Sequence, residues 1–200
     1  MGQRLAKSKR VVFSLVAVML LASVFALSGI RRTSQAAPAA KAEGDYFLKL
    51  DGIEGESTDD KHKGEIEIHS FSWGVSQQGT GGQGGGGGTG KANAQDFHFT
   101  SNTSKASPKL FTTSASGKHI KEAILTVRKA GKGQQEYYKI TMEDVLISSY
   151  QNGGSNGTAP TDQVSVNFAK LKVEYLQQKP DGSLGDPVIG AWDFKQNKEL

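Results

Sequence analysis

The run from Val164 to Tyr175 constrains the fold most. Val164, Val166 and Phe168 share one parity, whereas Leu171, Val173 and Tyr175 share the other. Strand side chains alternate between two faces, so a strand with this pattern must exchange its buried face near Ala169 and Lys170. A bulge or a barrel corner accomplishes that exchange. Ile66 and Ile68, followed by Phe71 and Trp73, repeat the same switch. Two strands that each change face suit a strongly coiled or closed barrel better than a flat sheet, and closure removes exposed edges.

Other β-rich runs lie at Tyr46–Leu50, Asp96–Thr100, Ala123–Lys129, Glu136–Tyr150 and Val188–Lys195, separated by Gly, Asn and Asp clusters. This spacing predicts a mainly β sandwich or barrel. The segment Ala130-Gly131-Lys132-Gly133 predicts an antiparallel hairpin over Ala123–Ile140. One helix interrupts the pattern. Ser107 is its expected N-cap, Pro108 its first residue and Gly117 its left-handed end, with Leu110 and Phe111 on the buried side.

The formal charge of +4 over 200 residues suggests a basic protein until it is located along the chain. Arg4, Lys7, Lys9, Arg10, Arg31, Arg32 and Lys41 give residues 1–41 seven positive charges and no acid, which leaves 17 basic against 20 acidic side chains beyond them. The body is therefore acidic, and nucleic acid is not an expected partner. Val11–Ile30 carries no charge. A basic start, an apolar run and the small-residue stretch ending Ala40-Lys41-Ala42 read as an export signal cleaved between Ala42 and Glu43. The run is also long enough for a retained anchor held by Arg31 and Arg32, which is the one expected route to a membrane. Residues 1–42 are thus read as leader and linker, and export to the periplasm or beyond is the expected destination. With no cysteine, disulfides and thiolate metal sites are excluded.

Several motifs resemble catalytic ones without meeting their requirements. Residues 79–90 (GTGGQGGGGGTG) form a glycine-rich loop, and Gly85–Lys91 approaches a phosphate-binding loop. Ala92 follows Lys91, so no hydroxyl is present for Mg²⁺, and a strand follows where a helix is required. Gly153-Gly154-Ser155-Asn156-Gly157 matches a nucleophile elbow, but β alternation follows it. His62, His69, His98 and His119 are scattered. The pairs Glu65/Glu67 and Glu143/Asp144 read as solvated strand charge rather than as a glycosidase pair. No catalytic residue, cofactor or metal is expected.

A specific set of ordered motifs remains. Gly55-Glu56-Ser57, Ser72-Trp73-Gly74-Val75-Ser76-Gln77, Lys105-Ala106-Ser107-Pro108-Lys109-Leu110 and Ser116-Gly117-Lys118-His119-Ile120 precede Leu125–Gly131, Val166–Lys170 and Gly190-Ala191-Trp192-Asp193. Together they resemble the haemolysin-coregulated protein (Hcp) family, which forms the inner tube of type VI secretion systems. The resemblance covers residues 45–197. It implies a compact β-barrel of two antiparallel sheets with one short flanking α-helix. It also implies a homohexameric ring, stacked into a hollow tube inside a sheath, with a spike protein at the tip and small effectors in the lumen.

Two sites follow as expectations. Ser72 lies between Phe71 and Trp73, so alternation turns its hydroxyl away from the aromatic face and, in a ring, toward the lumen and its cargo. The charged loop Gly52–Gly64, with Ile53, Glu54, Glu56, Asp59 and Asp60, is the expected contact between stacked rings. The leader departs from the family, whose tube proteins assemble in the cytoplasm. An alternative reading is therefore an Hcp-fold protein exported by its own signal and acting as a periplasmic or extracellular binding module.

Overall fold

The computed structural model describes residues 44–79, 89–129 and 133–200. The leader, the Ala42–Glu43 cleavage candidate, most of the 79–90 loop and most of the 130–133 tip lie outside them.

Among the described residues, nine strands and one helix follow in the order β1 (Gly44–Leu50), β2 (Ile66–Gly79), β3 (Thr89–Asn102), α1 (Ser107–Ser116), β4 (His119–Lys129), β5 (Glu136–Gly153), β6 (Thr161–Asn167), β7 (Lys170–Gln178), β8 (Leu184–Asp193) and β9 (Lys198–Glu199). All pair antiparallel in the order β4-β1-β2-β3-β6-β5-β7-β8-β9, and β4 also pairs with β5. That last pairing closes β4, β1, β2, β3, β6 and β5 into a ring of hydrogen-bonded strands, with β7, β8 and β9 continuing from β5. The mainly β barrel with one short helix is what the sequence led us to expect.

Strand β5 makes closure possible. Its first part, through Leu146, pairs with β4, and within that stretch Tyr138–Glu143 also pairs with β7; its last part, Leu146–Gly153, pairs with β6. Asp144 adopts a left-handed φ of 53°, and the register shifts between Ile147 and Ser149. Both bend the strand from one side of the barrel to the other.

The expected strand over 164–175 is two strands. β6 ends at Asn167 opposite Leu146, and β7 begins at Lys170 opposite Glu143. Phe168 and Ala169 between them are both buried. Two consecutive inward residues are what moves the apolar set to the other parity, so the switch is a barrel corner. The Ala169 amide donates to the Glu143 carbonyl (3.0 Å), and the Phe194 amide to the Ala169 carbonyl (2.9 Å), which leaves no corner group of Ala169 unpaired. In β2 the corresponding switch is a bulge between Ile68 and Ser70.

The barrel interior is filled by Leu48, Phe97, Phe99, Leu125, Ile140, Met142, Val145, Val164 and Val166, each 2% exposed or less. Burying a side chain of this size contributes about 1.5–3 kcal/mol, and Leu110 from α1 joins the same cluster. The helix departs from expectation at three positions, the first being Pro108, which is its second residue rather than its first. Ser107 is its first residue rather than its N-cap: Ala106 holds the cap position without a side-chain bond. The Ser107 hydroxyl instead donates to Asp162 on β6 and accepts from the Ser104 amide (2.9 Å). Phe111 is 55% exposed rather than buried, its ring tilted 54° to that of Tyr150 at 6.2 Å, because Leu110 and Thr113 already fill the inward side. Gly117 closes the helix at φ 64°, where a Cβ would be strained.

Candidate functional site

Ser72 is exposed, and Phe71 and Trp73 on either side of it pack against the core. The register of the adjoining strands places Ser72 opposite His98, His98 opposite Ser165, and Ser165 opposite Ser149. One step along, Ser70 faces Thr100, Thr100 faces Gln163, and Gln163 faces Gln151. Two rows of hydroxyl, amide and imidazole side chains therefore cross β2, β3, β6 and the last part of β5, a width of about 14 Å at ordinary strand spacing. They line an open groove of 460 Å³.

The rows are tied by side-chain hydrogen bonds. Ser70 Oγ and Thr100 Oγ1 are 2.7 Å apart, His98 Nδ1 and Ser165 Oγ are 2.7 Å apart, and Ser149 Oγ donates to Ser165 Oγ at 2.7 Å. Beyond them Asp96 accepts from Asn167 Nδ2 (2.9 Å) and from Ser148. Behind the face, the fully buried Asp162 accepts from Ser107, from the Tyr150 hydroxyl (3.0 Å) and from Asn152 Nδ2 (2.8 Å). Burial pushes the Tyr150 hydroxyl pKa up, and the bond to Asp162 adds to the shift. This buried network fixes β6 and its outward residues relative to α1 and β5.

The Gly52–Gly64 loop is folded back on the barrel. From Ile53 to Ser57 it alternates, with Ile53, Gly55 and Ser57 buried and Glu54 and Glu56 exposed. The Gly55 amide donates to the Gly64 carbonyl (2.8 Å), and the Ser57 amide to the Glu65 carbonyl (3.0 Å). Gly55 allows this approach: a Cβ there would lie 2.2 Å from the Glu65 carbonyl oxygen. Asp59 accepts from Arg128 Nη1 (2.7 Å), and Asp45 from Arg128 Nη2 (2.9 Å). The bond from Arg128 holds the Asp59 carboxyl below the usual carboxylate range. Arg128 lies over the Phe47 ring at 4.8 Å, and His62 stacks on Phe47 at 4.3 Å. Of the five loop residues singled out from sequence, Ile53 is thus in the core and Asp59 is bound to Arg128. Glu54, Glu56 and Asp60 point outward, with Glu54 3.3 Å from Lys105 Nζ and Glu56 accepting from the Lys105 amide (2.8 Å).

Three of the four paired acids read from sequence are bonded to a lysine or a histidine. Glu143 pairs with Lys170 (2.9 Å), and Asp144 with His119 (2.7 Å) and Lys195. Glu65 bonds to His62 (3.0 Å), and Glu67 stands exposed on β2. Among the described residues no three His, Asp or Glu side chains converge as a metal site.

Sequence reading singled out Ser72 but not the row in which it stands. Gln163, Ser165 and Asn167 alternate with Val164 and Val166, which signals an outward polar face. That this face adjoins Ser72 and His98 is a matter of strand pairing, which no local pattern contains.

The family profile described as "Type VI secretion system effector, Hcp" matches residues 47–175. The chain is 46% identical over 156 residues to Protein hcp1 of Pseudomonas aeruginosa, covering 76% of this chain and 96% of that one. It is similar to the crystal structure of Hcp1 from Salmonella typhimurium, with a TM-score of 0.66, 38% identity, and coverage of 79% of this chain and 99% of that one. It is also similar to the crystal structure of a type VI secretion system effector from Yersinia pestis, with a TM-score of 0.62, 34% identity, and coverage of 74% and 99%.

Proposed function

The chain belongs to the Hcp family of type VI secretion systems, a structural and not an enzymatic family, and on that premise we propose how its surfaces are used. Hexameric rings stack into a hollow tube, and the polar face of β2, β3, β6 and β5 forms the inner wall. The observation that carries this reading is the pair of polar rows around Ser72, with no Lys, Arg or Glu among them. Hydroxyl and amide groups exchange bonds with water and with cargo at small net free energy, about 0.5–1.5 kcal/mol each. Such a wall holds an effector through many weak contacts and lets it leave without stripping water from buried charges.

Ser72→Glu tests the assignment. Electron microscopy should show rings as in the wild type, while retention of a small effector protein falls several-fold. Rings that form normally and carry cargo as well as the wild type would remove Ser72 from the wall.

The Gly52–Gly64 loop is proposed as a stacking contact. Glu54, Glu56 and Asp60 supply the outward charges, with Ile53 and Asp59 anchoring the loop to its own barrel. Exposed charges are screened within about 10 Å at 0.1 M salt, so stack length in sedimentation should change between 0.05 and 0.5 M salt. Unchanged stacks would exclude this role. A spike protein, a sheath and small effectors are the proposed partners.

The leader supports a further proposal about destination: residues 1–42 direct export, and the mature chain begins near Glu43. Amino-terminal sequencing of the protein from cell fractions tests it. A product beginning near Glu43 outside the cytoplasm favours the exported binding module over ordinary tube assembly, and an intact amino terminus on assembled tubes does the reverse.

A further inference from the structure

We propose that His98 determines the charge selectivity of the cargo wall, so that the tube grips acidic cargo in its protonated state and loosens as the imidazole loses its proton. The inference rests on the reading above that this face lines the lumen. Among the described residues His98 is the one titratable side chain lining the groove around Ser72; every other described lining residue is Ser, Thr, Gln, Phe or Val. Histidine is the side chain whose charge ordinarily changes between about pH 5 and 8.

The surroundings of His98 suit a change of state. Across the sheet it meets Ser72 and Ser70 from β2, and Ser165 and Gln163 from β6, with Ser149 and Gln151 of β5 beyond. Along its own strand it meets Thr100 and Asp96. Asp96 is the one charged neighbour on this face among the described residues, and its two oxygens are already engaged by Asn167 and Ser148. Ser165 Oγ accepts a hydrogen bond from Ser149, which leaves its own hydroxyl hydrogen to donate to a neutral His98 Nδ1. When Nδ1 carries a hydrogen, the Ser165 hydroxyl rotates and accepts a hydrogen bond from it. The hydroxyl pair therefore satisfies Nδ1 in either state and leaves Nε2 to the groove and its contents.

A ring repeats the imidazole once per subunit at one height of the lumen. Protonation turns an uncharged band of wall into a positive one, in a confined space where like charges on one wall reinforce each other. Acidic cargo then gains ion pairs on top of hydroxyl and amide contacts, and uncharged cargo gains none.

The test uses assembled rings of the full chain, verified by electron microscopy at each pH, and two fluorescent ten-residue probes, poly-aspartate and an uncharged Gly-Ser peptide. Binding is read by anisotropy at pH 5.5 and 7.5 at equal ionic strength. Poly-aspartate should bind about tenfold more tightly at pH 5.5, a factor expected of one or two exposed ion pairs. The Gly-Ser probe should show no difference. His98→Gln rings should lose the pH difference, and Gln163→Ala rings should keep it. His98→Gln rings that retain the difference, or wild-type rings that show none, overturn the proposal while leaving the lumen reading intact. Absence of wild-type rings, or binding of either probe that persists when Ser72→Trp narrows the lumen, overturns both.

Discussion

Removing the Asp162 carboxylate should cost this barrel more than removing most of its core methyl groups. Asp162 is fully buried and accepts from Ser107, Tyr150 and Asn152. Asn152 Nδ2 keeps a partner in Asp162→Ala, because it also donates to Thr103 Oγ1 at 2.7 Å. Ser107 and Tyr150 lose their acceptor, as does the Thr103 hydroxyl, whose bond to Asp162 is longer at 3.4 Å. An orphaned buried donor costs about 1–3 kcal/mol, and the half-exposed Tyr150 recovers part of this from water. Together with the space left by the side chain, the loss should be about 3 kcal/mol, a large share of an ordinary stability of about 5–15 kcal/mol. Asp162→Asn keeps the shape but offers one accepting oxygen instead of two, and should cost about half as much. Ser107→Ala should cost about 1 kcal/mol. Urea unfolding followed by Trp73 and Trp192 fluorescence measures all three, with the chain kept dilute because the proposed ring assembly would add apparent stability. A loss under about 1 kcal/mol in Asp162→Ala, or equal losses in the Ala and Asn variants, would refute the network as the tie between α1 and β6.

Gly55→Ala forces a Cβ against the Glu65 carbonyl, so it should lower the melting temperature by about 5 °C or more; an unchanged melt would show that the loop shifts freely. Leu110→Ala should cost about 3 kcal/mol, whereas Phe111→Ala on the same helix should cost less than about 1 kcal/mol in urea unfolding. Asp59 has a lowered folded pKa, so its contribution is present above the ordinary carboxylate value near 4 and is lost as pH falls through the lower folded value. Stability measured from pH 6 down to 2 should therefore fall less steeply in Asp59→Asn, and an identical acid limb in both proteins would count against the Arg128 pairing.

Much of the fold was legible because it rests on local chemistry. The parity switches at 164–175 and 66–73 announced a barrel, since a period-two pattern cannot change face without a corner or bulge. Gly117 marked the helix end because a left-handed φ there favours a residue without Cβ. The ordered motifs from Gly55 to Asp193 identified the family. Legibility failed where a residue's role depended on what lay across from it. Ser107 reads as an N-cap until Asp162, 55 positions away, claims its hydroxyl. Ile53 and Asp59 read as loop surface until the core and Arg128 receive them.

The sequence by itself determined alternation, corners, helix end, an acidic body behind a basic leader, and membership in a family. Only the tertiary structure decided that Ser72, His98, Ser165 and Ser149 form one row. Alternation states which face a side chain takes, but the identity of its neighbour depends on strand order and register, and those are set by closure of the whole barrel.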